Sequence, residues 1–274
     1  MRIAIIIHGE PRFCEEFDKL INSVKDVEQV DWFFYLWSET DYPTDEQIIH
    51  EREHNPYAHT YGFNVVAPNW RSINRDWAMQ KLRDNLPAHH NIVRAEFVDH
   101  RDMEFPPIEG RQAVEISITN ICKNWYSLMQ VDSYRQEYEK QNNFTYDLVI
   151  RSRPDIAVIS ELDFESLRWA ITGDSKVVFI PTNHQCGYDG IWFCDLYAIT
   201  SSKNMSIYSD VYNQAWKHNQ EHNVIFHGET MLARHIQING LRFATANFHI
   251  GLRSSGQNHA EPGGIYISTY GRWE

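Results

Sequence analysis

Arg151, Arg153 and Asp155 alternate at the end of an apolar run in the stretch YDLVIRSRPDIAVIS, residues 146–160. Leu148, Val149 and Ile150 have the composition of a buried strand, and Pro154 blocks a helix directly after it. Ligands of open α/β sheets sit beyond the carboxyl ends of the strands, and this is such an end. Forked guanidinium donors suit phosphate oxygens. A carboxylate suits Mg2+ or Mn2+. Together the three side chains could hold a metal-chelated diphosphate. They would equally make a salt-bridge cluster on a surface loop, and spacing alone does not separate the two.

The strands and helices around this end are legible as patterns. Ile3 to Ile7 is a continuous apolar run, the mark of a central strand, punctuated by Gly9 and Pro11. Phe13, Phe17, Leu20, Ile21 and Val24 recur at helical spacing, and VDWFFYLW (30–37) reads as a second buried strand. Strand, helix, strand predicts a parallel crossover and an α/β sheet. Residues 38–110 are less regular, with expected strands at Asn64–Ala67 and Ile92–Val98 and a helix near Ile73–Leu86. From Gln112 to Gln141 apolar residues repeat at three and four, which predicts a long amphipathic helix ending at Asn142-Asn143. A helix near 163–170, a strand at Lys176–Ile180 and a Gly-rich turn leading into another strand follow. Ser201 or Ser202 can cap the next helix, and another is expected from Gly228 to Asn239 with Gly240 as its stop. No repeat or linker divides the 274 residues, so a single domain, 1–274, is expected.

Lys and Arg number 25 against 37 Asp and Glu, a net charge of −12. An acidic chain argues against broad binding to nucleic acid or anionic membrane. No apolar run is long enough to span a bilayer, and the start lacks the pattern of a signal peptide. Cys14, Cys122, Cys186 and Cys194 show no CxxC spacing, which predicts free thiols and a cytoplasmic location. HEREH, 50–54, matches the zinc-protease pattern, but Asn55-Pro56 would end its helix at once and no apolar face would pack it. His218 and His222, four apart, read as solvated helix residues.

The stretch YDLVIRSRPDI resembles the Tyr-Asp-x-x-Ile-Arg-x-Arg-x-Asp motif of a group of GT-A-type glycosyltransferases, in which Arg-x-Arg-x-Asp stands in place of Asp-x-Asp. IAIIIHGEPR is similar to that family's opening strand and its Ser-Gly-Gln-Pro-Arg, with His8 and Glu10 replacing Ser and Gln. VDWFFYLW, the Gly187–Tyr212 segment and HGETMLARHIQINGL resemble further parts in order, with Cys194 where a Gly is common. The likeness spans nearly the whole chain outside about 38–110. It implies a Rossmann-like GT-A fold with a central, mostly parallel sheet flanked by helices. It also implies a nucleoside diphosphate sugar as donor, a hydroxyl-bearing glycan as acceptor, and Mn2+ or Mg2+ as cofactor.

On that resemblance Asp155 faces the metal, and His249 completes the metal shell or touches the diphosphate. Arg151, Arg153 and Arg253 would neutralise the leaving diphosphate. Gly9 permits close approach of backbone to nucleotide, and Arg12 could reach a phosphate or ribose. Asp189, in a flexible turn, could bind sugar hydroxyls. Glu229, or Asp189, would deprotonate the acceptor if the reaction inverts; Glu229 would also suit a helix start without any catalytic part. The tail 251–274 would close over the donor. Two other functions fit the same pocket. One is a non-catalytic nucleotide-sugar or glycan-binding module. The other is a metal-dependent sugar-phosphate hydrolase.

Overall fold

A computed structural model of the chain describes residues 1–10, 17–38, 80, 82–100, 102–113, 118–154 and 156–252. Arg12, Asp155 and Arg253 lie outside these residues, as do HEREH, the expected strand at 64–67, most of the expected helix at 73–86 and all but the start of the 251–274 tail.

The apolar runs become strands because their residues are buried on both faces of one sheet. β1 (Arg2–Gly9), β2 (Gln29–Trp37), β3 (His90–Val98) and β4 (Leu148–Ser152) run parallel; β1, β2 and β4 are the near-continuous buried apolar strands, and β3 is the half-exposed edge. Their side chains split by parity. Ala4, Ile6, Phe33, Tyr35 and Val149 pack beneath the long helix α2 (Ile118–Asn142). Ile3, Ile5, Ile7, Trp32, Phe34 and Ile150 pack on the other face with α1 (Phe17–Val24) and α3 (Phe164–Gly173). The chain continues through β5 (Ile156–Val158), β6 (Val177–Ile180) and β7 (Ala198–Thr200). Next come α4 (Ser202–Ser209), α5 (Val211–Glu221), α6 (Gly228–Ile238), β8 (Arg242–Thr245) and β9 (Ile250–Leu252). The sheet order is β3-β2-β1-β4-β7-β6-β8, and only β7 runs antiparallel to its neighbours. β5 and β9 form a separate antiparallel pair. The fold is α/β, a mostly parallel seven-stranded sheet flanked by helices.

The long helix begins later than its periodicity predicts. Gln112 instead bridges to Phe226, which ties the preceding loop to the segment before α6. The helix stops where expected, with Asn143 in the left-handed region at φ 53°. Ser201 is the residue that caps α4, accepting from Asn204 N at 3.2 Å. Arg135 of α2 is fully buried. It donates to Asp132 at 2.6 Å and Glu139 at 2.5 Å on its own helix, and to Ser202 and Ser206 of α4 at 2.6 and 2.8 Å. Buried charges persist only when paired and hydrogen-bonded in this way, so the network locks α2 against α4. The Tyr-Asp that opens the motif is also structural. Tyr146 donates from its hydroxyl to Asp31 at 2.7 Å, and Asp147 accepts from Arg2 N at 2.7 Å.

His218 departs from the expectation of a solvated side chain. It is buried, and its Nε2 lies 3.0 Å from Nδ1 of His235, whose Nε2 donates to the Ile207 carbonyl at 2.6 Å. Burial pushes the His218 pKa down to about 4, with His235, His222 and Lys217 adding to the shift and Asp210 opposing it. The unfolded imidazole takes its proton near pH 6.5. Stability from this pair is therefore complete above about pH 6.5 and is lost as pH falls toward 4. At ~1.4 kcal/mol per unit, the loss over that window is about 3 kcal/mol. Urea denaturation at pH 7 and pH 4 should show it, with a shallower fall in His218→Gln. An equal fall in that variant would assign the acid sensitivity elsewhere.

Candidate active site

The sheet order places β2 and β3 on one side of β1 and β4 on the other. This is a topological switch point, and the crevice beyond the carboxyl ends of β1 and β4 is where such sheets bind ligands. β1 delivers His8 and Gly9 to that edge, and β4 delivers Arg151 and then Arg153. Gly9 has φ 103°, which a side chain would strain, and open space where its Cβ would stand. Gly9 itself is buried, so this space lies within the sheet edge and not on the outer surface.

Arg151 is 1% exposed. Its Nε donates to Nε2 of the fully buried His8 at 2.8 Å. His8 must therefore accept at Nε2 and carry its proton on Nδ1. Burial first, then the charges of Arg151 and Arg153, hold the His8 pKa well below the ordinary value, so the imidazole stays neutral beside the guanidinium. Among the described residues, Arg151 Nη1 and His8 Nδ1 are buried with no hydrogen-bond partner. A buried guanidinium that ends on a neutral imidazole has the character of an anion site, because an uncompensated buried cation is costly.

β7 explains how a second group of residues reaches the same edge. Because it is antiparallel, its start lies where β4 and β6 end, and the loop 181–197 that joins β6 to β7 stays at that edge. Cys186 and Phe193 pair across this loop, with N–O distances of 3.0 and 3.2 Å. Gly187, at φ 157°, allows the turn, since a Cβ there would collide with the Ile191 carbonyl. α6 then starts against the loop. Thr230 Oγ1 accepts from Tyr188 N at 2.8 Å, and His227 caps the helix through Nδ1.

Glu229, in the first turn of α6, is the centre of this second group. The Cys186 thiol donates to its Oε1 at 2.8 Å, and His227 Nε2 lies 3.4 Å from its Oε2. Burial and then the Asp195 carboxylate raise the Glu229 pKa to about 7, against the Cys186 hydrogen bond and the positive charge of Arg153. Asp195 itself sits beside the helix start, its Oδ2 3.7 Å from where a Cβ on Gly228 would stand. Burial pushes the Cys194 thiol up to about 12, so this residue is an inert filler of the wall.

The structure thus brings Gly9, Arg151, Arg153 and Glu229 to one edge. Asp189 stands apart, exposed, with both carboxylate oxygens engaged by Arg111 at 3.0 and 3.1 Å. His249 is exposed beside Ile159 at the far end of the β5–β9 pair. That is three residues along from Ile156, or about 10 Å of strand. Sequence reasoning missed His8, Cys186, Asp195 and His227. The departure of His8 from the family pattern was the one available signal; the others lie on separate segments with no shared spacing.

No family model matches the chain, and no curated protein matches it in sequence. Among solved structures it is similar to a protein assigned as a glucose-1-phosphate thymidylyltransferase from Bacillus anthracis in complex with sucrose, at 7% identity and TM-score 0.39, covering 93% of this chain and 90% of that one. It is also similar to a glycosyltransferase involved in glycosylation of the major capsid of PBCV-1, at 11% identity and TM-score 0.34, covering 90% and 82%. A third is a mannose-1-phosphate geranyltransferase from Thermus thermophilus, at 9% identity and TM-score 0.29, covering 92% and 76%. Likenesses this distant assign no activity, and the site has to be read from its own chemistry. Among the described residues no helix is long and apolar enough to cross a membrane.

Proposed function

We propose that this protein transfers a sugar from a nucleoside diphosphate sugar to a hydroxyl of a glycan-type acceptor. The observation that carries the reading is the buried Arg151, held by His8 at the switch point with one nitrogen unpartnered among the described residues. Arg151 and Arg153 grip the diphosphate. They take up the charge that grows on it as the glycosidic bond breaks, and such help to a leaving group is commonly the largest catalytic contribution. Gly9 lets the nucleotide lie against the backbone. Glu229 accepts the proton of the attacking hydroxyl, which fits inversion at the sugar carbon.

The motif offers Asp155 for Mn2+ or Mg2+, and the Asp195 carboxylate beside Gly228 is the oxygen donor a hard divalent ion takes. Either carboxylate would suit such an ion, which would supply further neutralisation of the diphosphate.

A thermal-shift panel of nucleoside diphosphates, with and without Mn2+, tests this function. One base should stabilise the chain by about 2.7 kcal/mol at a hundredfold excess over its dissociation constant. No response to any nucleoside diphosphate would end the proposal.

A further inference from the structure

Cys186, His227 and Glu229 present a thiol sulfur, an imidazole nitrogen and a carboxylate oxygen within 4.8 Å of one another. We propose that these three side chains form a site for a soft divalent ion of the zinc class, separate from the hard-ion chemistry expected at the diphosphate. A thiolate and an imidazole select zinc, cobalt or copper over magnesium and manganese. Three protein ligands with an open fourth position is the arrangement of zinc sites that stay accessible to solvent or substrate.

The geometry asks for little movement. Bonds of about 2.0–2.3 Å in a tetrahedron put ligand atoms roughly 3.3–3.8 Å apart. Here Cys186 Sγ is 2.8 Å from Glu229 Oε1, and His227 Nε2 is 3.4 Å from Glu229 Oε2. The ion takes the place of the proton now lying between sulfur and carboxylate, and that proton leaves to solvent. His227 must then bind through Nε2 and carry its own proton on Nδ1, which gives up the weak cap bond it accepts from Thr230 N at 3.4 Å. Thr230 Oγ1, 3.1 Å from Nδ1, is placed to accept it. A ligating histidine that donates its other N–H to a fixed oxygen is the usual outer support of a metal site. The cradle is also rigid before any ion arrives. The Cys186–Phe193 pairing and the Gly187 turn hold the sulfur, and the start of α6 holds the other two groups.

The consequence for catalysis rests on the proposed role of Glu229. A bound zinc ion occupies the carboxylate that takes the acceptor's proton, so it switches transfer off while leaving the arginines free for the donor.

Cobalt alone, added to the full reduced chain without nucleotide, reads the site directly. The expected result is a thiolate-to-cobalt charge-transfer band with tetrahedral d–d bands, saturating at one equivalent. Cys186→Ser should lose the charge-transfer band. His227→Asn, which keeps a capping side chain, should weaken zinc at least about tenfold in chelator competition. No charge-transfer band in the wild type overturns the site, as does a band undiminished in Cys186→Ser. Transfer assays then separate the two readings. Cobalt bands with transfer untouched by zinc keep the metal site and remove Glu229 as the base. Transfer without cobalt bands does the reverse.

Discussion

Arg151→Met should weaken nucleoside diphosphate binding severely while leaving the chain about as stable as before. The guanidinium is 1% exposed and ends on a neutral imidazole. Folding therefore bears the cost of a buried cation with no carboxylate paired to it among the described residues. Methionine matches much of the side chain's length and removes that cost. His8 in turn loses the donor at its Nε2, a penalty of about 1–3 kcal/mol for a buried acceptor. The two effects oppose each other, so the unliganded melting temperature should move little. Binding has no such compensation. Losing a desolvated, charge-assisted contact costs about 2–5 kcal/mol, or roughly thirtyfold to several thousandfold in affinity. Calorimetric titration of the stabilising nucleoside diphosphate measures it. Arg151→Lys keeps the charge but not the fork, and should recover only part of the loss. Full affinity in Arg151→Met would mean that the diphosphate lies elsewhere, and the functional reading would go with it.

Glu229→Gln should separate binding from turnover. The amide keeps the shape and an oxygen that can still accept from the Cys186 thiol, so the wall should hold. It cannot take up a proton. Removing a general base commonly lowers rate by about 10²–10⁴, and that fall is expected in transfer to the acceptor. Donor affinity should stay near wild type, because the arginines are untouched. Stability should hold or rise, since the change removes a half-buried carboxylate that Asp195 opposes. The decisive comparison is labelled-sugar transfer against donor dissociation constant in the same preparation. Wild-type turnover in Glu229→Gln would mean that the acceptor's proton leaves by another route.

Much of the scaffold was legible because it depends on near neighbours in the chain. Ile3–Ile7 and Leu148–Ile150 can be apolar without interruption only if both faces are covered, and both became central parallel strands. The three-and-four repeat of the long helix survives because its buried apolar residues pack in one cluster with the sheet. Arg151 was legible as a strand-end residue for the same reason. Buried polar contacts were not. No local pattern sets Arg135 apart, and only the approach of α4 closes a network around it. His218 looked solvated until His235 was packed against it.

Local pattern was enough to specify the sheet's interior, the helices over it and the two arginines at the end of β4. What surrounds them depends on long-range strand pairing. Cys186, Asp195, His227 and Glu229 meet because one short strand, β7, runs backwards between β4 and β6 and returns its loop to the ligand-binding edge. Three residues of strand carry too weak a pattern to announce their direction. Burial and turn propensity are written within a few positions, whereas a site built from separate loops depends on which strands pair, and that is settled only when the whole sheet closes.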